Sequence, residues 1–320
     1  GCAGDEFTVT FPIDPEPVGA DDALSVCSNT GALGYDLQLD NIDALGNGLG
    51  SDFVWLAADN ANVSGETTVL QSTGVINDNL INVTSVNQQV VYTITPTGSV
   101  AGCDGDSFTL TVTVEPEPVG VALSGTLCSD EVLGNAYTLE TNGTSVSASS
   151  YNITSISNVA GLTASAGTPV TGNGFAADEL IDDAWTNQTG AQADIIYTVV
   201  PVSSAGCQGT SFTVTVSVDP EPATTVSSTE AAVCSDVALG YTLSTADAST
   251  YTISTNSNGL IQSGGTVSAG SGKASNELAD DAWTNPTTLA VDVVYTITPV
   301  SAAGCAGDEF TVTFPIDPEP

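Results

Sequence analysis

Apolar and polar residues alternate along much of the chain with the period of two that a strand requires, since successive side chains of a strand point to opposite faces. Phe7, Val9, Phe11 and Ile13 alternate with Thr8, Thr10 and Pro12, and Phe212, Val214, Val216 and Val218 alternate with Thr213, Thr215 and Ser217. Another such stretch comes shortly before: Val-Val-Tyr-Thr-Ile-Thr-Pro at 90–96, Ile-Ile-Tyr-Thr-Val-Val-Pro at 195–201 and Val-Val-Tyr-Thr-Ile-Thr-Pro at 293–299. A Gly/Ser-rich connection then leads to a cysteine, and the pair predicts a hairpin. Further short strands are expected around 33–39, 52–57 and 67–70, with counterparts around 137–139, 150–153, 241–243 and 250–253. About seven short strands in roughly 100 residues, with no long segment of helical period, predict an all-β chain of Ig-like sandwiches. The tracts 178–183 and 276–281 have room for one helical turn.

The alternating segment is itself repeated. Residues 1–17 recur without a change at 304–320, a shift of 303, and weaker copies lie at 102–118 and 206–222. Cys2, Cys103, Cys207 and Cys305 mark the phase with steps of 101, 104 and 98. Three related repeats therefore make one longer period. Residues 1–17 read as the last strand and linker of a preceding repeat, followed by repeats at 18–118, 119–222 and 223–320. Residues 178–222 and 276–320 align without a gap and agree at 27 of 45 positions, including Asp-Asp-Ala-Trp-Thr-Asn at 182–187 and 280–285, where repeat 1 has Asp78-Asn79-Leu80-Ile81-Asn82. Each repeat closes on an acidic, proline-alternating joint: Asp14-Pro15-Glu16-Pro17, Glu115-Pro116-Glu117-Pro118, Asp219-Pro220-Glu221-Pro222 and Asp317-Pro318-Glu319-Pro320. Proline fixes φ and biases its predecessor to extended backbone. Such joints are expected to hold sandwiches end to end as a rod or filament, with one period spanning on the order of 120 Å at ~3.3 Å per strand residue.

Composition narrows the function. The chain has 38 acidic residues against one basic residue, Lys273, with no His and a formal charge of −37. Phosphates would be repelled, so nucleic acid and anionic membrane faces are poor partners. Without His or Arg, the usual bases near neutral pH and imidazole metal sites cannot be built, and no enzyme is expected. No apolar run is long enough to span a bilayer. The chain opens in mid-motif at Gly1-Cys2, as a window cut from a longer polypeptide would. The unpaired acidic surface favours solubility and keeps neighbouring molecules apart.

The cysteines fall into an early class, Cys27, Cys128 and Cys234, and a late class, Cys2, Cys103, Cys207 and Cys305. Bridges within repeats, Cys27–Cys103, Cys128–Cys207 and Cys234–Cys305, are expected, with Cys2 bonded to a preceding repeat. The alternative crosses the joints: Cys2–Cys27, Cys103–Cys128 and Cys207–Cys234. A rod would hold the latter pairs a strand length apart, beyond the ~7 Å Cα limit. Repeated cysteine pairs suit an oxidising exterior.

The Cys-Ser near each repeat's start, Tyr-Thr-Ile-Thr-Pro-Val-Ser-Ala-Ala-Gly-Cys-Ala-Gly-Asp at 295–308, Phe-Thr-Val-Thr and the closing Asp-Pro-Glu-Pro resemble the PKD-like, Ig-like repeats of giant surface adhesins in Bacteroidota, including the gliding adhesins of flavobacteria. The resemblance covers all three repeats. It implies a secreted, cell-surface, filamentous protein exported by the type IX system, here the shaft of an adhesin. The other readings are a polysaccharide-binding module and a subunit that polymerises head to tail through a donated strand. Partners are thus neighbouring repeats or surface glycans. Acidic pairs admit at most a weak Ca²⁺ site at Asp104, Asp106, Asp308 and Glu309, since Ca²⁺ needs about six to eight oxygens. Trp185 and Trp283 are expected to fill the sandwich rather than stack on sugars. The sequons at Asn62, Asn82, Asn142, Asn152 and Asn187 match chance in a chain this rich in Asn, Ser and Thr.

Overall fold

A computed structural model describes residues 1, 4–158, 160–266 and 269–319. Repeat 1 contains β1 (Asp22–Cys27), β2 (Tyr35–Asp36), β3 (Ser51–Ala57), β4 (Val63–Ser64), β5 (Val75–Ile76), β6 (Ile81–Asn82), β7 (Gln88–Gly98) and β8 (Phe108–Glu115). Repeat 2 contains β9 (Leu123–Cys128), β10 (Ala148–Asn158), β11 (Leu162–Ala166), β12 (Gly172–Phe175), β13 (Ala184–Asn187), β14 (Ala193–Ser203) and β15 (Phe212–Asp219). Repeat 3 contains β16 (Ser228–Thr229), β17 (Val233–Cys234), β18 (Ala248–Asn256), β19 (Ile261–Gly264), β20 (Gly270–Lys273), β21 (Ala282–Thr284), β22 (Val291–Ser301) and β23 (Phe310–Asp317).

The main sheets run β1-β8-β7-β3, β12-β10-β14-β15-β9 and β16-β23-β22-β18-β20, with β17 also on β23. The expected hairpin is the centre of each: β7 with β8, β14 with β15, β22 with β23, all antiparallel. The first strand of each repeat instead lies parallel to the last, β1 on β8, β9 on β15, β16 and β17 on β23. Smaller sheets, β2-β5, β4-β6, β11-β13 and β19-β21, complete the sandwiches.

The chain divides into two compact bodies: residues 1–121, 140–152 and 200–211, and residues 122–139, 153–199 and 212–320. In the first, Phe53, Trp55, Val90, Tyr92, Ile94, Leu110, Val112 and Val114 form the centre of the core. In the second, Tyr251, Ile253, Val293, Tyr295, Ile297, Val312, Phe314 and Ile316 pack into another cluster. The alternation in the sequence becomes alternation of burial along β8, β15 and β23, as a strand with one face on the core requires.

Four expected strands are different in the structure. In 33–39 only Tyr35–Asp36 is extended, because the Asp36 carboxylate accepts the N–H groups of Gln38 and Leu39 and starts a π-helical turn, Leu37–Ile42. A 3-10 turn, Gly134–Tyr137, stands at 137, and 241–243 has no strand. Residues 67–70 have none either; Gln71 beyond them makes a single bridge to Trp55. The acidic tracts form successive i→i+3 turns, such as Ile181 N–H to Asp178 and Ala279 N–H to Asn276. Among the described residues no helix is long and apolar enough to cross a membrane.

Candidate functional site at the repeat junctions

The parallel first strand decides where the cysteines stand. Cys27 ends β1 opposite Glu115, the last residue of β8; Cys128 ends β9 opposite Asp219, and Cys234 ends β17 opposite Asp317. Each early cysteine therefore sits at the end of its repeat where the proline joint leaves. Each late cysteine precedes the start of the closing strand, about eight residues or ~26 Å away at ~3.3 Å rise. That distance forbids a bridge within one repeat.

The bridges formed are Cys27–Cys207 and Cys128–Cys305, each with a Cα separation of 5.4 Å. The expected pairs Cys27–Cys103, Cys128–Cys207 and Cys234–Cys305 are thus corrected, and so is the alternative across joints: Cys27 and Cys128 each bond the late cysteine of the following repeat. Cys103 and Cys234 carry no bridge here, and Cys2 lies outside the described residues. The parallel pairing of the first strand with the last puts the two cysteines of a repeat at opposite ends of the closing strand.

A small buried cluster holds each early cysteine. Its serine neighbour, Ser28, Ser129 or Ser235, donates N–H to the carbonyl of Glu115, Asp219 or Asp317 at 2.8–3.0 Å. The serine oxygen accepts N–H from Asn82, Asn187 or Asn285 at 2.9–3.0 Å. Those asparagines in turn give both amide protons to backbone carbonyls, Asn187 to Ala191 and Val218, Asn285 to Leu289 and Ile316, and Asn82 to Val86 and Val114. Thr84, Thr189 and Thr287 donate their hydroxyls to the asparagine oxygens at 2.8 Å. Asn29, Asp130 and Asp236, which follow the serines, take positive φ (56°, 64° and 63°), a region that Asn and Asp tolerate and that turns the chain back at the joint.

The late cysteine lies in a loop of one recurring geometry. Gly98, Ser203 and Ser301 donate N–H to the carbonyls of Cys103, Cys207 and Cys305, while Gly105, Gly209 and Gly307 donate to Pro96, Pro201 and Pro299. A Cβ on Gly105 would collide with the carbonyl oxygen of Pro17, on Gly209 with that of Pro118, and on Gly307 with that of Pro222. Those prolines end the preceding joints and are buried. Glycine is thus needed because the joint backbone packs directly on this loop. Burial raises the pKa of the joint residue Glu221, as do, to a smaller extent, the nearby charges of Asp130 and Asp308; burial also raises that of Glu117.

Other expected sites resolve differently. Trp185 and Trp283 are buried and donate Nε1–H to the hydroxyls of Tyr197 and Tyr295, which donate to Asp183 and Asp281 at 2.8 and 2.7 Å. Repeat 1 reaches the same end with other residues: Tyr92 donates to Asp78, and Trp55 meets the Tyr92 ring edge-on at 5.8 Å. The indoles are core, not sugar platforms. Asp104 accepts from Thr97 and Asp308 from Thr224. Among the described residues no group of three or more His, Cys, Asp or Glu side chains is placed to hold a metal ion.

A family model for the PKD-like domain matches residues 25–118, 125–222 and 231–320. No curated protein matches the sequence. Among solved structures, an I-band fragment of titin is 11% identical with a TM-score of 0.35, covering 96% of this chain and 100% of that one. Drosophila N-cadherin EC1-4 is 11% identical at 0.27, over 95% and 74%. The human Desmocollin-1 ectodomain is 11% identical at 0.26, over 95% and 62%.

Proposed function

The chain belongs to the PKD-like domain family, and on that premise we propose that it is a stretch of the shaft of an extracellular filament or cell-surface adhesin. One observation carries the reading: the bridges Cys27–Cys207 and Cys128–Cys305 join the early cysteines of repeats 1 and 2 to the late cysteine of the following repeat. A bridge past a joint keeps neighbouring repeats together under load, which serves a shaft.

Chemistry and composition support the location. Disulfides persist in oxidising compartments, and a charge of −37 on a hydrogen-bonded β scaffold suits a molecule that must stay apart from its neighbours in water. The resemblance to gliding adhesins adds, as part of the proposal, export by the type IX system and a surface role in Bacteroidota. The reading assigns no catalysis.

A second reading, a subunit that polymerises by donating a strand, is favoured by residues 4–17. Phe7 and Ile13 are 88% and 93% exposed, while Phe310 and Ile316 in the same sequence are 3% and 1% exposed within β23. Size under denaturing, reducing conditions separates the two. A single species of hundreds of kDa supports a tandem shaft; a species near 32 kDa from the same native material supports donated strands and contradicts the tandem.

A further inference from the structure

Each closed junction is made of two halves. The leading half is an early cysteine opposite the last residue of the closing strand. The following half is a late cysteine in its loop, with the preceding joint's proline over the loop glycine. Cys103 and Cys234, the two described cysteines without a bridge, each complete one half and lack the other.

Cys103 has the following half. Its carbonyl accepts N–H from Gly98, as Cys207 does from Ser203, and Pro17 is buried over Gly105 as Pro118 is over Gly209. Missing is a first strand beside residues 7–14 with its cysteine opposite Asp14, the equivalent of Glu115. Cys234 has the leading half: it is exposed, opposite Asp317 at the end of β23, in the register that places Cys27 and Cys128 in their bridges. Phe7, Val9, Phe11 and Ile13 are all exposed, and the same four residues at 310–316 are buried under β22 and the parallel first strand. The sequence therefore states its own occupant: what covers residues 7–13 is what covers β23.

We propose that a second copy of this chain joins the first with its residues 1–17 in the place of residues 304–320, and that Cys103 of the second copy forms a disulfide with Cys234 of the first. In this register the bridge spans 172 residues, close to the 180 and 177 of the bridges present. The two thiols give up two electrons and two protons to a disulfide oxidant, oxidised glutathione or the disulfide form of an oxidoreductase, which becomes two thiols. The inference rests on the end-to-end reading above and adds the third staple, so that every joint of a 303-residue period is bridged once.

The test is a single polypeptide of residues 1–303 followed directly by residues 1–320, which contains both copies because they share seventeen residues. It is folded with oxidised glutathione, its remaining thiols are alkylated, and it is cut at Asp and Glu without reduction for mass spectrometry. The expected result is Cys27–Cys207 in both copies, Cys128–Cys305 in the second, Cys128 of the first with Cys2 of the second, and Cys234 of the first with Cys103 of the second. Recovery of the Cys234 and Cys103 peptides only in alkylated form, with no Cys103–Cys234 linked peptide while the other bridges are formed, overturns the inference and leaves the shaft reading standing. Cys234 of the first copy bonded to any other cysteine overturns it as well.

Discussion

Gly209 packs against the carbonyl oxygen of Pro118, so that the joint leaving repeat 1 rests on the loop that carries Cys207. Gly105 meets Pro17 and Gly307 meets Pro222 in the same way, with more room at Gly307. A methyl group at 209 has to push backbone rather than a flexible side chain. Gly209→Ala is expected to destabilise the folded chain by about 1–3 kcal/mol, the usual range for forced overpacking, Gly105→Ala by a similar amount and Gly307→Ala by less. Urea unfolding monitored by tyrosine and tryptophan fluorescence measures this. Gly143→Ala, where nothing lies within 4 Å, is the control expected to be near neutral.

Asn187 is the buried hub beneath Ser129 and the closing strand. Replacing it with alanine takes the amide donor from the buried Val218 carbonyl, while the exposed Ala191 carbonyl keeps the Thr189 hydroxyl. At about 1–3 kcal/mol for a buried group left unpaired, Asn187→Ala is expected to cost about that much, and Asn285→Ala, beneath the Ile316 carbonyl, the same. The buried amides of Asn82 and Asn187 are also closed to glycosylation in the folded protein. Intact-peptide mass spectrometry of the native material is expected to show both unmodified.

Asp183 sets a direction for pH. Burial raises its pKa to about 6; the Tyr197 hydroxyl opposes the shift, and the charges of Asp182 and Glu179 add to it. The folded state thus holds this proton more tightly than the unfolded chain. Its charged form costs stability above about pH 6, and the cost fades as pH falls through 6 toward the unfolded value of 3.8. Glu117 and Glu221 shift the same way. The urea midpoint is expected to rise between pH 7.5 and pH 5, and Asp183→Asn to reduce that rise; a midpoint that falls over this interval contradicts the assignment.

The bridges interleave, since Cys128 lies inside the loop closed by Cys27 and Cys207 while Cys305 lies outside it. The shortest covalent path from Cys27 to Cys305 then runs through the 79 residues between Cys128 and Cys207, against 278 after reduction. At ~3.3–3.6 Å per extended residue, single-molecule stretching is expected to gain about 650–720 Å of contour when the protein is reduced. Equal contour lengths in both states would rule out these pairings.

Much of this was legible in the sequence because repetition and alternation are local signals. The hairpins at 90–115, 195–219 and 293–317 follow from period-two patterning, and the joints follow from their prolines. The direction of the first strand was not legible: Leu24, Val26 and Cys27 look the same whether the strand pairs parallel or antiparallel, and that choice alone moves the early cysteine from one end of the repeat to the other. The Asn-x-Thr triplets at 82–84, 187–189 and 285–287 were the available clue to the buried cluster. They recur at one phase in all three repeats, although Pro286 removes the third from the glycosylation pattern. Asp78 and Asn82 occupy the places of Asp183 and Asn187 even though repeat 1 lacks the tryptophan between them, because the backbone needs the carboxylate and the amide more than the indole.

The central claim, that bridges run from one repeat to the next, is tested most directly by one cut. Ala223 is exposed just after the joint between repeats 2 and 3, so Ala223→Lys adds a second tryptic site to Lys273. Oxidised protein, isolated as the single 320-residue chain, is alkylated, unfolded in urea and cut with trypsin without reductant. The interleaved bridges predict that residues 224–273 come away alone, while 1–223 stays attached to 274–320 through Cys128–Cys305. Residues 224–273 remaining attached to 274–320, with 1–223 released, would mean that Cys234 bonds Cys305 and would contradict the account.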